Sequence, residues 1–72
     1  MEKTVEELVE TKEWKSFEML FGKYEGKTLF QIYYTDYQYL HWMANNTNNE
    51  TVRKMCQAVV EHKSRVDPYG SM

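Results

Sequence analysis

The chain has 72 residues, of which 42% are hydrophobic, 28% charged and 15% aromatic, enough for one small domain and too few for an enzyme with separate cofactor and substrate lobes. Its net charge of -2, from nine Lys and Arg against eleven Asp and Glu, excludes the broadly basic surface on which non-specific duplex binding depends. No apolar run approaches the roughly 18 residues of a membrane helix, so no membrane association is expected, and the lone Cys56 precludes an internal disulfide. A reducing cytoplasm is the expected location.

The charge is unevenly placed. Residues 1–18 contain Glu2, Glu6, Glu7, Glu10, Glu13 and Glu18 against three lysines, while the remainder is close to neutral, with a basic focus at Lys23 and Lys27. Three segments are expected: an acidic N-terminal arm over 1–16, a folded domain over 17–65 and a tail over 66–72, which begins before the Asp67-Pro68-Tyr69-Gly70 turn. A chain this short buries only about 60% of its unfolded surface, so the two Trp, six Tyr and three Phe must supply much of the core. Some aromatics should remain at the surface, available for base stacking or partner contact, and the small core is compatible with a homodimer.

In chain order, Thr4-Val5-Glu6-Glu7 is a capping-box pattern that opens a short helix from Val5 to Lys12, with an extended arm as the alternative. Gly22 and Gly26 bracket Lys23-Tyr24-Glu25 between apolar Met19-Leu20-Phe21 and Thr28-Leu29-Phe30, which reads as a tight β-hairpin. Thr28-Leu29-Phe30-Gln31 is itself a capping pattern, so the second strand should hand over at once to a turn of helix through Ile32 and Tyr33. Thr35-Asp36-Tyr37-Gln38 opens a helix from Asp36 to Ala44, stopped by Asn45-Asn46. Thr47-Asn48-Asn49-Glu50 opens the longest one, Asn49 to Ser64, with Val52, Met55, Cys56, Val59 and Val60 as its apolar stripe. The resulting expectation is an α+β unit: a small hairpin covered by two antiparallel helices.

The residues Phe21-Gly22-Lys23-Tyr24-Glu25-Gly26-Lys27-Thr28-Leu29, followed by Asp36-Tyr37-Gln38-Tyr39-Leu40-His41-Trp42-Met43, resemble the C-terminal domain of exodeoxyribonuclease X-like proteins, including small stand-alone bacterial and phage proteins. The resemblance covers about residues 19–62. It implies a hairpin with Phe21 packed inward, glycines at the turn, Lys23 and Lys27 at its edge and Trp42 behind it, and an association with DNA-processing modules. It implies no nuclease activity, which in such proteins belongs to a separate acidic metal-binding domain. A proline often lies near the Tyr-Leu-x-Trp helix of that family, and here Thr35 is expected to cap in its place. If the chain is phage-encoded, the expected location is the host cytoplasm.

Two readings of the Gly22–Lys27 segment remain open: a phosphate contact through Lys23 and Lys27 with Tyr24 stacking, or a turn that simply requires glycine. The glycines are one residue too close for a phosphate loop of the Walker type. Of the aromatics between Tyr33 and Trp42, Tyr34 and Tyr39 are expected to be exposed. His41, Cys56 and His62 lack the paired spacing of a metal site, and no nucleophile, base and orienting group can be assembled, so no cofactor, metal or catalytic role is expected. The leading expectation is a non-catalytic accessory module contacting nucleic acid, or a nucleic-acid-processing complex, through Lys23, Tyr24 and Lys27. The alternative is a protein-interaction factor, such as a phage-encoded modulator of a host protein, that uses Glu6, Glu10, Tyr34 and Tyr39.

Overall fold

A computed structural model describes residues 3–66, so the turn expected around Pro68 lies outside the described residues. Four α-helices follow in order: α1 (Val5–Thr11), α2 (Leu29–Thr35), α3 (Tyr37–Asn46) and α4 (Glu50–Val66), with a 3-10 turn at Glu13–Ser16. Each helix start is fixed by a short side chain that accepts an orphan backbone N–H. Thr4 and Glu7 close a reciprocal capping box on α1, and Thr28 and Gln31 do the same on α2. Asp36 Oδ1 accepts from Tyr39 N–H at 3.3 Å, and Asn49 Oδ1 accepts from Val52 N–H at 3.0 Å. Asp36, not Thr35, therefore caps α3: Thr35 is still the last residue of α2, and one residue alone separates the two helices.

The expected α+β class is overturned. The described residues contain no β-strand, and the only trace of pairing is an isolated antiparallel bridge between Glu18 and Thr28. The physical reason lies in Thr28. Its capping box commits Leu29 to a helix immediately, so the chain turns helical right after the one bridging residue, before a second strand can form. Residues 19–27 instead form a tight loop, closed by Met19 N–H to Lys27 O and Gly26 N–H to Met19 O, both at 2.9 Å. Gly22 and Gly26 occupy the left-handed region at φ 89° and 87°, which accounts for glycine at both positions.

The core is one cluster of apolar side chains from every helix, the 3-10 turn and the loop. Along α4 the expected stripe is buried at Val52, Cys56 and Val59 and partly buried at Met55 and Val60; Ala58 is buried as well. That widening follows from α4 packing on both α1 and α3. Residues 5–16 supply Leu8, Val9 and Trp14 to the same cluster. Trp14 has no exposed surface and lies edge-on to Tyr33 of α2, with ring centroids 5.8 Å apart, and 5.1 Å from the His62 ring of α4. Its Nε1 is buried without an acceptor among the described groups. Trp42 departs from the position the resemblance implied: it is 56% exposed and stacks on Tyr39 instead of filling space behind the loop.

Candidate nucleic-acid interface

The tight loop, α2 and the start of α3 bring most of the sequence-derived candidates to one surface. Tyr24 reaches across the loop and donates its hydroxyl to Asp36 Oδ2 at 2.9 Å. Lys23 Nζ lies 3.6 Å from the same oxygen and sits over the rings of Tyr24 and Tyr39, 5.2 and 5.4 Å from their centroids. Tyr24 and Tyr39 meet edge to face at 5.0 Å. The carboxylate therefore fastens the loop to the α2–α3 junction. The Tyr24 hydrogen bond, aided by the Tyr39 N–H and by Lys23, holds the Asp36 carboxyl below its ordinary range despite partial burial. The same hydrogen bond raises the Tyr24 phenol, because ionising it would set two negative charges together.

This arrangement divides the three residues expected to contact nucleic acid. Tyr24 has its hydroxyl occupied and its ring half-buried. Lys23 is tethered to Asp36, though its side chain remains 63% exposed. Lys27 is exposed and makes no ion pair among the described residues. It helps line an open groove of about 440 Å³ formed with Tyr24, Phe30, Gln31, Ile32, Tyr34 and Thr35.

Tyr34 is 73% exposed, as expected, while Tyr39 is not free: it is half-buried among Tyr24, Lys23 and Trp42. Tyr34 lies one helical turn after Phe30, itself 38% exposed, and the two rings meet nearly perpendicular at 4.9 Å. Lys15 Nζ sits 5.1 Å from the Phe30 centroid. Sequence reasoning missed Phe30 and Lys15. The Thr28 capping box carried the signal for Phe30, since a helix starting at Leu29 puts Phe30 and Tyr34 on the face opposite the buried Leu29 and Ile32.

The acidic candidates lie elsewhere. Glu6 and Glu10 are exposed on α1, and Glu6 is 3.8 Å from Arg65 near the end of α4. Cys56 is buried inside α4, which pushes its thiol up to about 12, and His62 is pushed below its ordinary value by burial and by nearby Lys15 and Lys12. No group of three or more His, Cys, Asp or Glu side chains among the described residues is placed to hold a metal ion, and none of the described helices is long and apolar enough to cross a membrane.

No curated protein and no solved structure matches the chain. The sequence resemblance reached residue 62, whereas the matching family model covers the loop, α2 and α3 and stops before α4. Residues 19–48, the stretch that builds the groove and its Tyr24–Asp36 fastening, match the exodeoxyribonuclease X-like C-terminal family.

Proposed function

We propose that the chain is a non-catalytic accessory module that makes modest contacts with nucleic acid through the surface built by residues 19–35. The observation that carries this reading is the coincidence of two things: the segment matching an exonuclease-associated family is also the segment that gathers Lys23, Tyr24, Lys27 and Tyr34 onto one face. Lys27, with Lys23 beside it, supplies phosphate contacts, and the aromatic groove supplies apolar area. Few lysines and a net charge of -2 mean modest affinity and a shallow salt dependence, because the salt slope scales with the number of phosphates neutralised.

The test is a titration of labelled DNA followed by anisotropy at about 50 and 200 mM salt. Two phosphate contacts predict a weakening of about tenfold between those conditions, and Lys23→Gln with Lys27→Gln should remove most of that salt dependence. Binding indifferent to both lysines would refute the assignment of this surface.

A second reading, contact with a protein partner, is supported by Trp42 and Leu20, apolar side chains 56% and 51% exposed, and by the exposed acids Glu6 and Glu10. Glu6→Gln with Glu10→Gln and Trp42→Ala would then abolish partner capture while leaving DNA binding unchanged. Deleting the N-terminal segment is the wrong instrument for this purpose, because it removes Leu8 and Val9 from the core.

A further inference from the structure

The groove between the loop and α2 carries more information than a basic patch does. Its lining includes three aromatic rings, Tyr24, Phe30 and Tyr34, a lysine, Lys27, and no acid. At about 440 Å³ it falls within the range of clefts that hold small organic groups, about 300 to 1,000 Å³. Among the described residues Tyr34 is the most exposed of the large hydrophobic side chains, yet its ring is held in orientation from two sides, edge-on to Phe30 at 4.9 Å and to Tyr33 at 5.0 Å. A second cation, Lys15, lies over the Phe30 ring.

We propose that this groove is a stacking site for single-stranded nucleic acid, in which an unpaired base lies against Tyr34 and Phe30 and the flanking phosphates meet Lys27 and Lys15. The inference rests on the nucleic-acid reading above and adds to it the form of the ligand. Two arguments select a single strand. Stacking on an aromatic side chain requires a base whose π-face is open, and in a duplex both faces of nearly every base are covered by their neighbours. Duplex binding without base readout depends on many phosphate contacts, typically six to ten for a strongly salt-dependent binder. A chain of net charge -2 with so few cations on this surface does not supply them. A strand offering π-faces as well as phosphates makes use of what this surface has.

The experiment compares a short fluorescent oligothymidylate, an oligouridylate and a hairpin duplex of matched length, titrated into the full chain at about 50 mM salt. Four proteins are used: wild type, Tyr34→Ala, Tyr34→Leu and Lys27→Gln. Tyr34 is 73% exposed, so both of its substitutions leave the core intact, and the leucine keeps apolar bulk while removing the π-face. The expected result is tighter binding of the single strands than of the duplex. Losing one stacked base should weaken single-strand binding by about 5- to 150-fold in both Tyr34 variants. Duplex binding should not respond to them. The relative affinity for the two single strands reports whether DNA or RNA fits better. Equal or tighter duplex binding, or single-strand binding unchanged in both Tyr34 variants, overturns the stacking site while the nucleic-acid reading stands on its lysine dependence. Failure to bind any of the three probes overturns both.

Discussion

The two tryptophans should behave as opposites: Trp14, in the segment expected to be an acidic arm, lies in the core, while Trp42, which the resemblance placed behind the loop, lies at the surface. Trp14 is fully buried and its ring reaches α2 through Tyr33 and α4 through His62, so Trp14→Ala removes the residue that joins the N-terminal segment to both. Truncating a buried aromatic costs about 3 to 5 kcal/mol. At about 0.05 to 0.15 kcal/mol per residue, a chain of 72 residues has roughly 4 to 11 kcal/mol in all. Trp14→Ala therefore removes a large share of the stability and lowers Tm by about 12 to 40 °C for a domain of this size. Trp42 is 56% exposed and its main contact is the stack on Tyr39, so Trp42→Ala should cost about 0.5 to 1.5 kcal/mol. Urea unfolding followed by far-ultraviolet circular dichroism is the suitable assay, because tryptophan emission changes in both variants. Equal losses, or a larger loss from Trp42→Ala, would refute the placement of residues 5–16 in the core.

Three further outcomes follow from local geometry. Gly22→Ala and Gly26→Ala both place a side chain at positive φ, at about 1 to 2 kcal/mol each. A Cβ at Gly22 would also come within 2.5 Å of the Tyr39 hydroxyl while one at Gly26 meets open space, so chemical denaturation should rank Gly22→Ala as the more damaging. Cys56, its thiol raised to about 12 by burial, should resist a thiol-reactive dye at pH 8 in the native protein and react promptly once urea unfolds it. His62 has its folded pKa depressed below 6.5, so the unfolded chain binds the proton first: stability is complete above that value and declines as pH falls beneath it. The urea midpoint should drop between pH 7.5 and 5.5, and His62→Gln should flatten that part of the curve.

Helix starts were legible in the sequence because capping is a local matter. Thr4 and Thr28 cap as their patterns suggest, whereas α3 and α4 are capped by Asp36 and Asn49, one and two residues after the Thr35 and Thr47 that open the expected patterns; the apolar stripe of α4 needs nothing beyond its own periodicity. The hairpin failed because two local signals competed over the same residues. Paired glycines between apolar runs suggest strands, but the Thr28 capping box commits the second run to helix, and strand pairing, which depends on distant partners, did not survive that. The exposure of Tyr34 follows once α2 is accepted as a helix. What no local pattern discloses is tertiary: that Trp14 is swallowed by the core while Trp42 is left outside, and that Asp36 fastens Lys23 and Tyr24 in place. Of the candidate site residues chosen by type and position, Lys23, Tyr24, Lys27, Tyr34 and Tyr39 lie on the loop, α2 and the start of α3 while Glu6 and Glu10 lie apart on α1, and Lys27 and Tyr34 are the two that stay well exposed on the groove.

The most direct test of the account is a nitrogen-15 amide correlation spectrum of the full chain recorded with increasing short oligothymidylate. The groove predicts shifts concentrated between Tyr24 and Thr35, with smaller ones at Lys15, while Glu6, Glu10 and the solvent face of α4 stay still. Shifts confined to α1 or to the neighbourhood of Trp42, or none at saturating oligonucleotide, would contradict it.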